Sequence, residues 1–293
     1  MSAEQLSALL AAAAESGGAA PNFSDPPEKA HEDFVAFLGA LPVPDGITVT
    51  PREVAGTPGI LVVPDGGSAT IATLYLHGGA YIAGNPTVYL GIIGGIAKAS
   101  GRAVYAPDYT LAPAKAFPGA VDEALAVYRA LADEVGASHL AVAGDSAGGG
   151  LTLALLLAIR DAGLAQPAAA VALSPWVDAT CSSPSYAERA ERDPLLSTRQ
   201  LLDAAAVYLA GADPRHPLAS PLFADLTGLA PLSVHVGSEE ILHDEALRLA
   251  EAAGGTARVW EGMVHDWSLF WFAVDEGAEV LAEVGATIAA ATR

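Results

Sequence analysis

A chain of 293 residues, 52% hydrophobic and only 16% charged, has enough apolar material to bury a large core, and its composition excludes a disordered polypeptide. Its 14 Lys and Arg against 34 Asp and Glu leave a formal charge of -20, which repels a phosphate backbone and excludes nucleic acid as an expected partner. The lone Cys181 excludes an internal disulfide and, with no CxxC or Cys/His cluster, a zinc framework.

In chain order, LSALLAAAAES (6–16) is preceded by Glu4 and not by a basic run, so it reads as an amphipathic helix rather than a targeting segment. No stretch reaches the roughly 18 unbroken apolar residues of a membrane span, and a soluble, cytoplasmic chain is expected. Residues 47–54, 59–63 and 70–76 read as early strands, close together and partly antiparallel. An apolar helix over 86–100 precedes a strand at 102–107, and residues 118–135 place Val121, Leu125, Tyr128 and Leu131 on one helical face. A strand at 139–144, a helix at 147–163, strands at 169–174 and 232–237, a helix from about 242, a strand at 257–261 and a closing helix follow.

Strands alternating with helices of this length predict an α/β fold with a mostly parallel sheet covered on both faces, because each parallel connection needs a crossover. Two segments break the rhythm. Residues 1–40 precede the first strand, and the Pro- and Ser-punctuated insertion 178–225 contains the helical stretch TRQLLDAAAVYLAG. With no repeat or linker dividing it, the chain 1–293 reads as one domain, with 1–40 and 178–225 forming a helical cap over the end of the sheet.

Four glycines crowd one hydroxyl in AVAGDSAGGG (141–150). Gly144-Asp145-Ser146-Ala147-Gly148 matches G-x-S-x-G, which as a bare pattern is equally a glycine-rich turn. Its place between the strand LAVAG and a helix is what a strand-to-helix nucleophile elbow requires. A serine hydroxyl needs a base to take its proton and an acid to orient that base, in the chain order Ser, Asp/Glu, His.

The histidines after Ser146 are His216, His235, His243 and His265. The first lies in the insertion, the second inside a buried strand and the third early in a helix. His265 stands in the loop after the last strand, where a base reaches the serine. The acid belongs to the loop after 232–237, where Glu239, Glu240, Asp244 and Glu245 compete; spacing favours the first two without deciding between them. His77-Gly78-Gly79-Ala80 ends an earlier strand as an HGGG-type loop whose backbone N–H groups, with that of Ala147, are candidate oxyanion donors. A neutral His265 acting as base predicts activity lost at acid pH, within a unit or two of the ordinary imidazole value of about 6.5.

With these motifs, and with DYTLAPAKAFPGA, LSPWVD, VGSEEILHDEA and GMVHDW, the chain resembles the hormone-sensitive-lipase branch of the α/β-hydrolase fold, bacterial esterases of the acetyl-hydrolase and monoterpene lactone hydrolase type, from about Leu74 onward. The resemblance implies Glu240 as the acid, where many relatives carry Asp. It implies an oxyanion hole built from the Gly78–Gly79–Ala80 loop and Ala147, with Gly79 and Ala80 as the loop's donors. Two positions depart from the pattern: Ala80 replaces the third glycine, keeping its N–H but disfavouring positive φ, and Ala114 stands where the family has Glu.

The resulting expectation is a serine carboxylic-ester hydrolase acting on small, short-acyl esters through Ser146, Glu240 and His265, without metal or organic cofactor. Its partner is a small-molecule substrate, and a homodimer is compatible with the sequence. Hydrolysis of lactones, amides or carbamates by the same triad is an alternative, as is a non-catalytic small-ligand receptor, against which His265 speaks. Phe23, Phe34, Phe37 and Leu38, with Leu201, Leu202, Tyr208 and Leu209, are apolar enough to line a lid, or form plain helix–helix contacts.

Overall fold

A computed structural model describes residues 5, 6, 8 and 21–293, so the helix expected over 6–16 lies almost wholly outside the described residues. Eight strands form one sheet in the order β1-β2-β4-β3-β5-β6-β7-β8. They are β1 (Ile47–Val54), β2 (Thr57–Pro64), β3 (Ser68–Leu76), β4 (Arg102–Pro107), β5 (Ala141–Asp145), β6 (Ala169–Leu173), β7 (Leu232–Gly237) and β8 (Thr256–Trp260). Only β2 runs against its neighbours; from β4 across to β8 the pairing is parallel. The antiparallel character expected among the early strands is thus confined to β1 and β2.

Strands β5 and β6 are buried along their whole length and β3 from Ile71 to Leu76, which is why they read as unbroken apolar runs rather than alternating ones. Helices cover them on both faces: α1 (Pro27–Gly39), α2 (Leu90–Ser100), α3 (Gly119–Val135), α4 (Ser146–Asp161), α5 (Ser185–Glu188), α6 (Thr198–Leu209), α7 (His243–Ala252) and α8 (Asp275–Ala291). Helix α2 packs on α8 and α3 on α4. In α1 the buried residues Ala30, Phe34 and Leu38 recur every four positions, a stripe that turns toward the sheet's carboxyl end.

Helix α2 begins four residues later than its apolar pattern predicts. The Asn85 side-chain carbonyl accepts from the N–H groups of Thr87 at 3.0 Å and Val88 at 3.3 Å, an Asx turn that offers the backbone an alternative to helix. Likewise a short 3-10 turn takes up residues 137–139, and β5 starts at Ala141. No helix among the described residues is long and apolar enough to cross a membrane.

Candidate active site

The carboxyl ends of β3, β5 and β7 and the loop after β8 meet at one edge of the sheet. There β5 ends at Asp145 and α4 starts at Ser146, whose φ of +50° lies in the left-handed region. So tight a turn presses the first residues of α4 against the end of β3, and a Cβ on Gly148 would overlap the Leu76 carbonyl oxygen. This close approach accounts for the glycines around the serine.

Ser146 Oγ lies 3.0 Å from His265 Nε2, and the Glu240 carboxylate lies 3.2 Å from His265 Nδ1 on the other side of the ring. All three residues are buried. Glu240 is itself held by the Ser174 hydroxyl at 2.7 Å and the Gly237 N–H at 2.5 Å. Burial pushes its carboxyl up to about 7, with hydrogen bonds from His265, Gly237 and Ser174 opposing the rise. Burial also works against a charged His265, but the Asp266 and Glu240 carboxylates outweigh it and raise the ring well above the ordinary imidazole value.

Glu239, the neighbour that spacing left open, turns the other way. Its carboxylate takes two hydrogen bonds from Arg192 in the insertion, at 2.5 and 2.6 Å. The remaining histidines stand apart from Ser146. His235 is buried against Trp260, and burial lowers it to about 4; His216 packs edge-on to Phe117, and His243 opens α7 beside Asp244.

The loop after β3 is anchored by residues that no motif singles out for a role. The buried Asp145 carboxylate accepts from the Tyr75 hydroxyl at 2.5 Å and from the Gly78 N–H at 3.1 Å to each oxygen. This corrects the expectation for Gly78: an N–H already given to a carboxylate has no capacity left for an oxyanion. Among the described residues none accepts from the N–H of Gly79 or Ala80, and the Ala147 N–H sits in the unpaired first turn of α4. Gly79, at φ +107°, is needed as glycine because a Cβ would meet the Ala83 carbonyl oxygen. Ala80 does adopt the positive φ that its side chain disfavours, at +53°, as does Tyr81 at +63°. His77 stacks on Tyr109 with ring centroids 4.4 Å apart, and burial lowers it to about 4, so it is a neutral support for the loop.

Over Ser146 lies a cavity of about 40 Å³, reached by His265 and Gly79 and walled by Phe23, Phe34, Phe37, Leu38, Leu195, Leu196 and Leu269. The N-terminal aromatics expected at a lid are there, but the insertion contributes Leu195 and Leu196 in place of Leu201, Leu202, Tyr208 and Leu209. Tyr208 instead stacks on Tyr81 at 3.9 Å between centroids, Leu201 is buried, and Leu202 faces solvent. The second of the two alternatives, helix contact, holds for α6.

The insertion is clamped to the acid loop through Glu245, another residue that spacing alone set aside. Fully buried, it accepts from the Val177 N–H and the Tyr186 hydroxyl, both at 2.7 Å. Burial raises its carboxyl to about 8 against those two hydrogen bonds. A carboxyl raised on folding from about 4.3 contributes stability that is complete below the unfolded value and lost as pH rises through the folded one. Glu245→Gln is therefore expected to melt with the wild type near pH 4 and increasingly above it as the pH rises toward 9. Glu245→Ala strands two buried donors and costs about 2–4 kcal/mol near pH 4, a penalty that shrinks as the pH rises and the wild type itself loses stability. Melting curves at the two pH values check this, and a Gln variant already weak near pH 4 means that the donors need an ionised carboxylate.

Among the described residues no group of three or more His, Cys, Asp and Glu is placed to hold a metal ion. A family model described as alpha/beta hydrolase fold matches residues 73–269. An acetyl-hydrolase of Streptomyces hygroscopicus is 45% identical over 225 residues, 75% of each chain. The crystal structure of a hormone-sensitive lipase from a metagenome library superposes with a TM-score of 0.93 at 36% identity, covering 100% of this chain and 99% of that one. That of an esterase from the bacterial hormone-sensitive lipase family gives 0.89 at 36% identity, covering 92% and 93%.

Proposed function

Because the chain belongs to the hormone-sensitive-lipase branch of the α/β-hydrolase family and is a carboxylesterase-type hydrolase, we propose that Ser146, His265 and Glu240 carry its chemistry through an acyl-enzyme. The observation that supports this most directly is the 3.0 Å approach of His265 Nε2 to Ser146 Oγ, with Glu240 on the opposite ring nitrogen. Ser146 Oγ attacks the ester carbonyl carbon while Nε2 takes its proton, and the negative oxygen forms against the N–H groups of Gly79, Ala80 and Ala147. Nε2 then gives that proton to the departing alkoxide, leaving the acyl group on Ser146. Water, deprotonated by the same nitrogen, attacks the acyl carbon; the bond to Ser146 Oγ breaks as Nε2 returns the proton to Oγ, and the carboxylic acid leaves. Glu240 keeps the Nδ1 proton in place and stabilises the cation at each stage.

The substrate we infer is a small ester with a short acyl chain. The cavity over Ser146 is narrow, about 40 Å³, and its walls are largely apolar. The acetyl-hydrolase relative points the same way by name. On p-nitrophenyl esters of increasing acyl length, kcat/KM is expected to be highest at acetyl to butyryl and to fall about tenfold or more by octanoyl. Leu196→Ala, which deepens the cavity, moves the optimum to longer chains. A rate that climbs steadily to octanoyl overturns the short-acyl reading and leaves the triad untouched.

A further inference from the structure

His265 Nε2 has a second neighbour that an esterase triad does not require. The Asp266 carboxylate Oδ2 lies 3.1 Å from it, against 3.0 Å for Ser146 Oγ. The chain places it there by a left-handed turn at Asp266, φ 50° and ψ 38°, which folds the side chain back onto the ring that precedes it. The turn is pinned from both ends: the Asp266 N–H is donated to Ser174 Oγ at 3.3 Å, and its carbonyl accepts from the Leu269 N–H at 3.0 Å. The side chain is 7% exposed, and its other oxygen, Oδ1, is buried without a partner.

An imidazole nitrogen carries one in-plane lone pair or one proton. The in-plane direction of Nε2 is taken by Ser146 Oγ, and a carboxylate oxygen 3.1 Å from the same nitrogen favours the protonated ring by its charge. With the proton on the ring, His265 is a cation between two carboxylates, Nδ1–H on Glu240 and Asp266 beside Nε2. In that state Nε2 has no lone pair for the Ser146 hydroxyl. The other groups that face this pair favour the same arrangement. Asp145 comes from β5 and Asp193 from the insertion; burial raises the carboxyl of each, and a protonated His265 opposes that rise. Tyr75 and Tyr89, packed against the same cluster, are themselves held neutral by burial and by the aspartates.

We propose that Asp266 is a positioning residue that holds a proton on His265 Nε2 in the resting enzyme, so that the pH at which the enzyme switches on is set by Asp266 together with Glu240. This rests on His265 being the base. The activating step is loss of the Nε2 proton to solvent, after which the nitrogen accepts from Ser146. At pH values below that step the serine is present, aligned and unreactive.

The test is the acid limb of kcat/KM against pH in the wild type, Asp266→Asn and Asp266→Gly, with Ser146→Ala as control. Asn and Gly are the residues that adopt left-handed backbone most readily, so both variants keep the turn. The wild-type limb is expected above the ordinary imidazole value of about 6.5, and both variants are expected to bring it down by about 1–3 pH units. A group that only supports the loop would change kcat without moving the limb. Independently of any variant, the ring-nitrogen NMR signals of His265 in wild-type protein are expected to show both nitrogens protonated near neutral pH. A limb unmoved in both variants, or a ring already neutral in the wild type, overturns the role of Asp266 while an inactive Ser146→Ala leaves the triad standing. Turnover by Ser146→Ala overturns the triad itself.

Discussion

Replacing Ser146 by alanine is expected to lower kcat for ester hydrolysis by about 10,000- to 1,000,000-fold and to leave the melting temperature within a few degrees of the wild type. The rate falls because the oxygen that forms the acyl-enzyme is gone; what remains is the binding of substrate and of the developing oxyanion. The fold persists because the turn is held by atoms that the substitution keeps: the Ser146 carbonyl still accepts from the Trp176 N–H at 2.9 Å, and Gly148 still allows α4 to meet β3. Among the described residues the side-chain hydroxyl is bonded only to His265. A fluorophosphonate, which phosphorylates an activated serine and releases fluoride, is expected to modify the wild type at Ser146 and not the variant. Intact mass before and after labelling, with kcat and thermal melts, checks all three statements. Turnover near the wild-type rate in a pure variant preparation removes Ser146 from the mechanism.

The parts of this molecule that were legible in the sequence are those that backbone geometry dictates. Continuous apolar runs forecast the buried parallel strands, and a serine between a strand and a helix, ringed by glycines, forecast a turn that admits no side chains. The order of Ser146 and His265 along the chain sufficed to predict that they meet, because each stands at a known end of a known strand. Side-chain direction was not legible. Gly78 sits in the same loop as Gly79 and Ala80, yet its N–H points to Asp145, a residue read only as the variable position of the serine motif. Asp266 looked like an ordinary neighbour of His265 until its left-handed backbone carried the carboxylate back to Nε2. The apolar stripe of α6 and the pair Leu195–Leu196 are indistinguishable by composition, and only packing decides which of them faces the cavity. The signal missed for Glu245 and Ser174 was likewise one of depth: a short polar residue near a strand end is equally a solvated loop residue or the sole partner of a buried group.

The same limit applies most sharply to the two adjacent glutamates, and substitution separates them. In Glu240→Gln the amide oxygen must take the place of Oε1, since the Ser174 hydroxyl and the Gly237 N–H both donate there. The amide NH2 then faces His265 Nδ1, and the reverse orientation would set that NH2 against the Gly237 N–H. An amide donor at Nδ1 requires a lone pair on that nitrogen, which moves the ring proton to Nε2, where it cannot accept from Ser146. The expected loss in kcat is about 100- to 10,000-fold, with little change in KM. Glu239→Gln removes one partner of an ion pair in which Arg192 is half exposed, and such pairs are worth about 0–1 kcal/mol. Its kcat is expected within about threefold of the wild type, because no atom of Glu239 touches His265. Helix capping by Glu240 would predict a loss of stability and no loss of rate, but α7 begins at His243 after the N-cap Leu242, with no side-chain cap bond for Gln to break. Measured kcat and melting temperature for both variants decide the matter. A large rate loss in Glu239→Gln with near-normal turnover in Glu240→Gln moves the orienting carboxylate one residue toward the N-terminus.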